Sequence, residues 1–74
     1  MKNIRNVTVI GLGLIGGSLA LSLKEISPEI SVTGFDTIAD AMSIAKYRNI
    51  IDKIARDYTD AVKDADFVII ATPI

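Results

Sequence analysis

A glycine-rich turn near the start of the chain, Gly11–Gly16 (GLGLIG), constrains the fold more than any other segment. It follows the apolar, β-branched run Val7–Ile10 and leads into a helical pattern, so it joins the end of a strand to the start of a helix. Backbone N–H groups at such a helix start, here around Leu14 and Ile15, can bind phosphate oxygens, and glycines keep side chains out of the way. The context therefore predicts a site for a pyrophosphate.

The glycines of this segment have separate expected roles. Gly11 allows the tight turn out of the strand, Gly13 lets the backbone approach a pyrophosphate, and Gly16 lets the new helix pack closely on the sheet. Gly17 is either a second small residue on the close-packed side or a tolerated helix glycine, which costs about 1 kcal/mol relative to alanine.

An acidic residue at the end of a second predicted strand strengthens this prediction. Asp36 follows the strand-like segment Ser31–Phe35 and lies 20 residues after Gly16. A carboxylate at this position can accept hydrogen bonds from the ribose hydroxyls of a dinucleotide. The alternative is that the glycines form a plain tight turn and that Asp36 is an ordinary acid at a strand end. This alternative does not explain why a strand, a glycine turn, a helix and an acid all occur at the expected spacing. The sequence thus favours dinucleotide binding.

The composition excludes several other classes of protein. Half of the 74 residues are hydrophobic and the net charge is −1, which is typical of a globular core and not of a disordered segment or a basic nucleic-acid-binding protein. The chain has neither Cys nor His, which excludes disulfides and thiolate metal sites and removes the commonest metal ligand. No apolar run reaches the roughly 18 residues of a membrane span, and no export signal is recognisable, so we expect a cytoplasmic protein. Four aspartates are expected to form a solvated acidic rim and not a metal site: Asp57, Asp60, Asp64 and Asp66.

Strands and helices alternate along the whole chain. Strands are predicted at about Arg5–Ile10, Ser31–Phe35, around Ile54 and at Phe67–Ala71, and helices at about Leu14–Glu25, at Ile38–Tyr47 and from a Thr59 cap through Lys63. This alternation predicts an α/β fold with a parallel sheet covered on both sides, a Rossmann-type three-layer sandwich that is the first half of a nucleotide-binding domain. Right-handed crossovers place strand two beside strand one, strand three outside it, and the final strand on the other side of strand one.

Local signals add further expectations. Thr37 and Asp40 are spaced as in a capping box, with Thr37 as the N-cap of the second helix. Tyr47 and Tyr58 are expected to be partly buried packing residues. The run Phe67–Ala71 is apolar on both faces, which is typical of a strand buried in a parallel sheet. Its outer edge needs a further partner, so we expect residues 1–74 to be the N-terminal piece of a longer protein.

Three segments together resemble the amino-terminal part of the prephenate dehydrogenase and arogenate dehydrogenase family. They are Val9–Ala20, Gly34–Asp36 with the following Ile50–Asp52, and Asp64–Ile74. The resemblance implies NAD-dependent oxidative decarboxylation of prephenate to 4-hydroxyphenylpyruvate in tyrosine biosynthesis, with arogenate as the alternative substrate. The family's histidine base has no counterpart in this chain, so no catalytic residue is assigned. The resemblance implies that the base, a helical catalytic domain and the contacts of a homodimer lie beyond residue 74.

By position, the resemblance also implies a set of cofactor contacts. Gly11, Leu12, Gly13, Leu14, Ile15 and Gly16 would border the pyrophosphate, Asp36 and Thr37 the adenosine ribose, and Ala71, Thr72 and Pro73 the nicotinamide-side ribose. The alternative for Thr72 and Pro73 is a strand end with a chain-turning proline. The neutral Thr37 stands where the family often has an arginine, which favours NAD over NADP, because the 2′-phosphate of NADP needs a cation.

Two other function classes remain open. Nucleotide-sensing regulatory domains share the strand, glycine turn and acid, and they bind NAD or ATP without chemistry. Those domains usually have a polar or basic residue inside the turn, where this chain has the apolar Leu14 and Ile15. A dehydrogenase of a β-hydroxy acid or an imino acid would have the same cofactor half. Hydride transfer from prephenate by the complete protein distinguishes the three.

Overall fold

The computed structural model describes residues 4–72, so Pro73, predicted above to contact a cofactor, lies outside the described residues. The elements in chain order are β1 (Asn6–Ile10), α1 (Leu14–Ile26), β2 (Ser31–Phe35), α2 (Ala39–Tyr47), β3 (Lys53–Ile54), α3 (Tyr58–Val62) and β4 (Phe67–Ile70). Each predicted strand and helix is present, and no predicted end differs from the observed one by more than two residues. Within residues 4–72, every helix is too short or too polar to cross a lipid bilayer.

The four strands form one parallel sheet in the order β3-β2-β1-β4. β1 is central, and its Val7 pairs with Val32 of β2 on one side and with Phe67 of β4 on the other. Both the parallel sheet and the strand order are as predicted. Because parallel strands end at the same edge, the glycine turn, Asp36 and Ala71 all follow strands at that edge.

Alternation along β1 builds a core on each face of the sheet. Val7 is buried on the face covered by α1 and α2, in a cluster with Ala20 and Ala45. Thr8 points to the opposite face, where its buried hydroxyl donates to the carbonyl of Ala61 in α3 at 2.5 Å. The result is three layers, with α1 and α2 on one side of the sheet and α3 on the other, which confirms the predicted fold class.

Helix α1 approaches the sheet through its smallest residues. Gly16 and Ala20 are its buried residues, whereas Leu19 and Ile26 are 42% and 78% exposed. A Cβ added to Gly16 would overlap the carbonyl oxygen of Gly11. The predicted role of Gly16 in close packing is therefore confirmed.

Asp52 joins α1 to the sheet. Its carboxylate accepts the Lys24 ammonium at 2.5 Å and the Val32 amide at 2.8 Å. Burial raises the pKa of the Asp52 carboxyl, but these hydrogen bonds and the charges of Lys24 and Lys46 outweigh it, so the pKa lies below its usual value. The ion pair thus fixes the last turn of α1 beside β2.

Both predicted helix caps are wrong. α2 begins without a side-chain cap, and Asp36, not Thr37, accepts the amide of Ile38 at 2.9 Å. α3 is capped by Asp57, not by Thr59, and its carboxylate accepts a first-turn amide at 2.7 Å. The N-cap of α3 thus lies two residues before the predicted one, and α2 starts without the help of a side chain.

The predicted acidic rim carries structural hydrogen bonds. Asp66 accepts the amides of Arg5 and Asn6, both at 2.9 Å, and so ties the start of β4 to the start of β1. These two bonds lower the pKa of the Asp66 carboxyl. Asp60 accepts the amide of Arg56 at 2.9 Å, and this bond, with the Arg56 side chain, lowers the pKa of Asp60.

β4 is an exposed edge strand in the described part of the chain. Its Phe67 and Ile70 are 51% and 71% exposed, whereas Val68 and Ile69 are partly buried. Within residues 4–72, β4 pairs with β1 alone. We expected β4 to be buried on both faces, but the described residues cover it only in part.

Substitution of the two adjacent helix glycines is expected to have opposite effects. Gly16→Ala should lower the free energy of unfolding by about 1–3 kcal/mol, because the new Cβ meets backbone. Gly17→Ala should be neutral or stabilise by up to about 1 kcal/mol, since the nearest atom to its Cβ is the Leu12 oxygen at 3.9 Å. Urea unfolding measures both, and equal midpoints would contradict the close packing of α1.

Asp66→Asn is expected to flatten the loss of stability in acid. The pKa of Asp66 is lower in the folded state than in the unfolded one, so its contribution is present above about pH 4 and is lost as the pH falls through the folded value. The free energy of unfolding, followed from pH 7 to pH 2, should fall more steeply in the native protein than in Asp66→Asn. The exposed Asp64 provides the control variant Asp64→Asn. Identical slopes for Asp66→Asn and the native protein would contradict the assigned hydrogen bonds.

Candidate functional site

The turn after β1 accepts only glycine at its first position. Gly11 has a φ of 95°, and an added Cβ would lie 2.9 Å from both the carbonyl carbon of Ala71 and the nitrogen of Thr72. The Gly11 amide donates to the carbonyl of Phe35 at 2.8 Å. The turn is therefore held between the ends of β2 and β4, and the predicted role of Gly11 is confirmed.

The N-terminus of α1 presents free backbone donors at this edge. The helix begins at Leu14 after the N-cap Gly13, with no capping side chain and no acidic residue in its first turn. The Gly17 amide bonds to the Gly13 carbonyl at 2.8 Å, so the amides of Leu14, Ile15 and Gly16 precede the first helical bond. The positive end of the helix dipole lies at the same place, which makes this helix start suited to an anion.

The approach to these donors is open at Gly13. A Cβ added there would have no heavy atom within 4 Å, and the φ of −70° is one that any residue adopts. Packing and backbone conformation thus require glycine at Gly11 and Gly16 but not at Gly13.

Asp36 is bonded to the glycine turn as well as to its own loop. One carboxylate oxygen accepts the Leu12 amide at 2.7 Å, and the other accepts the Ile38 amide at 2.9 Å. The sequence predicts an acid at the end of β2, but it does not predict the bond across to Leu12. That bond fixes the carboxylate beside the start of α1.

A cleft of about 770 Å³ lies over this edge of the sheet. Eight of the predicted cofactor residues line it: Gly11, Gly13, Leu14, Ile15, Asp36, Thr37, Ala71 and Thr72. The other two within the described range lie behind its wall, since Leu12 is 8% exposed and Gly16 is buried under Gly11. Predicted residues from three separate parts of the sequence are therefore brought together.

Sequence reasoning missed four residues that line the cleft: Ile10, Phe35, Ile38 and Tyr58. Ile10 and Phe35 end β1 and β2, so the predicted strand ends could have indicated them. Tyr58 has no such signal, because it reaches the cleft through the packing of α3, with its ring centroid 4.7 Å from that of Phe35. The expectation of partly buried packing residues is wrong for Tyr47, which is 87% exposed, whereas Tyr58 is 55% exposed and packs against Phe35.

The cleft contains little charge. Among the described residues that line it, Asp36 is the only one of the types Asp, Glu, Lys and Arg. Leu14 and Ile15, 89% and 70% exposed, extend the apolar wall at the start of α1. The arrangement offers backbone donors to an anion and a carboxylate to hydroxyl groups, but no imidazole for proton transfer, since the sequence has no histidine.

The sequence matches the profile of one protein family. Residues 19–74 match the family described as "Prephenate dehydrogenase, nucleotide-binding domain". This match begins after the glycine turn and includes Asp36 and β4.

Relatives of known name agree with that match. A prephenate dehydrogenase of Bacillus subtilis (strain 168) is 42% identical over 69 residues, which are 92% of this chain and 18% of the relative. A prephenate dehydrogenase of Lactococcus lactis subsp. cremoris (strain MG1363) is 38% identical over 71 residues, 96% of this chain and 20% of the relative. A cyclohexadienyl dehydrogenase of Zymomonas mobilis subsp. mobilis is 34% identical over 74 residues, 100% of this chain and 25% of the relative. The chain thus spans a quarter or less of the length of these relatives.

Two solved structures are similar to this chain. A crystal structure of prephenate dehydrogenase from A. aeolicus, in complex with hydroxyphenyl propionate and NAD+, has a TM-score of 0.88 and 29% identity, over 96% of this chain and 25% of that one. A diketoreductase has a TM-score of 0.76 and 31% identity, over 99% of this chain and 33% of that one.

Proposed function

The chain belongs to the prephenate dehydrogenase family, and from this premise we propose that it forms the NAD-binding part of an enzyme that oxidatively decarboxylates prephenate to 4-hydroxyphenylpyruvate. One observation carries the proposal. The 2.7 Å bond between the Leu12 amide and the Asp36 carboxylate joins a helix start suited to an anion to an acceptor suited to hydroxyls. A dinucleotide has both of these groups, a pyrophosphate and a ribose, in adjacent positions.

The pyrophosphate is assigned to the start of α1. The amides of Leu14 and Ile15, which line the cleft, are available as donors, and the first turn contains no acidic residue that would compete with the phosphates. Gly13 leaves room for the phosphates against the backbone, because nothing occupies the space of its absent Cβ. A ligand that approaches here therefore accounts for a glycine that the fold itself does not require.

The adenosine ribose is assigned to Asp36, with Thr37 beside it. Each carboxylate oxygen accepts one backbone N–H, at 2.7 and 2.9 Å, and retains a lone pair for a ribose hydroxyl. Because these two bonds orient the carboxylate before a ligand arrives, less ordering is needed on binding.

The nicotinamide-side ribose is assigned to the end of β4. Ala71 and Thr72 line the same cleft, and the Ala71 amide donates to the Ile10 carbonyl at 2.8 Å, which sets the end of β4 beside the glycine turn. Pro73 lies outside the described residues, so its assignment to this ribose rests on the sequence alone.

The residues of this chain are assigned to cofactor binding, and none of them is assigned to binding the substrate or to proton transfer. NAD, when bound, supplies the acceptor for the hydride that leaves the hydroxyl-bearing ring carbon. Leu14 and Ile15 line the cleft with apolar side chains at the start of α1. The relatives are four to five times as long as this chain. We assign three features to the part that corresponds to their additional length: the base that takes the hydroxyl proton, the substrate-binding groups and a helical dimerisation domain.

Arogenate is the second candidate substrate. The Zymomonas relative is named for a cyclohexadienyl ring, which arogenate and prephenate both contain. The groups that distinguish the two acids lie away from the ring carbon that is oxidised, so they do not affect the assignments in the cofactor cleft.

Gly13→Ala is expected to weaken NAD binding by about tenfold or more while leaving the fold intact, because its Cβ fills the space assigned to the pyrophosphate. Titration calorimetry on the full-length protein gives the affinity, and a thermal melt checks the fold. Gly17→Ala is the matched control, since its Cβ enters no assigned contact. Native affinity in Gly13→Ala would exclude the assigned phosphate position.

The full-length enzyme is expected to use NAD in preference to NADP by about tenfold or more in kcat/KM, because Asp36 repels a 2′-phosphate and the described cleft residues include no cation. Thr37→Arg should narrow this ratio by adding a cation beside the ribose. Measurement of kcat/KM with NAD and with NADP tests this prediction. A preference of the native enzyme for NADP would overturn the assignment of NAD as the cofactor.

A further inference from the structure

Helix α2 has charges of opposite sign near its two ends and an exposed apolar residue midway between them. Asp40 lies in the first turn and Arg48 at the C-cap, with Ile44 between them. The spacing of four residues places these side chains in one row along the helix, and all three are exposed. We call this set the α2 row.

The centre of the α2 row belongs to a larger apolar patch. Ile44 is 53% exposed and lines a groove of about 430 Å³ between α1 and α2. On the other side of this groove α1 contributes Leu21, which is 43% exposed, and Tyr47 extends the patch along α2. A contiguous patch of exposed apolar side chains, bordered by charges, is typical of an interaction surface.

The charges of the α2 row are available to a partner. Within residues 4–72, neither Asp40 nor Arg48 belongs to an ion pair. They are eight residues apart, which is about 12 Å along the helix axis, so they do not pair with each other within one helix. A partner of uniform charge would match only one end of the row, whereas a second copy matches both.

We propose that the α2 row binds the α2 row of a second copy of the chain, with the two helices antiparallel about a two-fold axis at Ile44. In such an isologous contact Asp40 of each copy lies opposite Arg48 of the other, so the ion pair forms twice. Rows of residues spaced by four also interdigitate in the commonest class of helix packing. The opposed helix dipoles favour the same arrangement. This interface is separate from the dimerisation domain assigned above.

Charge reversal tests the interface by sedimentation velocity on the full-length protein at about 100 μM, at which a contact with a micromolar dissociation constant is populated. Asp40→Arg and Arg48→Asp should each halve the mass of the native assembly, because each places like charges opposite one another twice. An equimolar mixture of the two variants should regain the native mass, since every facing pair is then of opposite sign. Glu29→Arg and Lys63→Asp are matched controls, because they change the net charge equally at exposed positions outside α2.

Crosslinking provides a second readout that leaves the charges unchanged. Ile44→Cys should give disulfide-linked pairs of chains under mild oxidation, because the two-fold axis brings the two side chains together, whereas Lys63→Cys should not. A native protein with the same mass as Arg48→Asp, or a mixture of the folded variants that does not assemble, would overturn the interface. Equal crosslinking of Ile44→Cys and Lys63→Cys would do so as well.

Discussion

The hydrogen bond from the Leu12 amide to the Asp36 carboxylate, 2.7 Å long, holds the candidate site together. The two residues are 24 positions apart and follow different strands. They meet because β1 and β2 are parallel neighbours in register, with Ile10 beside Phe35 at their ends. The carboxylate is bonded a second time, to the Ile38 amide. Glycine turn, acid and the start of α2 thus form one unit, so the cleft is formed by the fold itself.

The glycines of this unit differ in what they serve. Gly11 and Gly16 have no room for a side chain, one because of its positive φ and the backbone of β4, the other because of the Gly11 carbonyl. Because neither glycine has a side chain, α1 can start directly at the edge of the sheet. Gly13 has open space around it, so its value lies in contact with a ligand. One short motif therefore combines requirements of folding with a requirement of binding.

The sequence predicts the sheet, its strand order and the position of Asp36, because these follow from hydrophobic patterning, crossover handedness and the spacing from the glycine turn. It does not predict which amides the Asp36 carboxylate accepts, since the bond to Leu12 depends on tertiary structure. Tyr58 is missed for a related reason. It reaches the cleft only through the packing of α3 against Phe35, which no local pattern records. Local capping rules also miss Asp57, which caps α3 two residues before the predicted Thr59.

Amide hydrogen exchange at Leu12 in the cofactor-free protein tests most directly whether Asp36 organises the site before a ligand binds. The account predicts that the Leu12 amide is protected in the native protein and loses that protection in Asp36→Ala, while the amide of Val9 within β1 stays protected in both. Rapid exchange at Leu12 in the native protein, or equal protection in the variant, would contradict it.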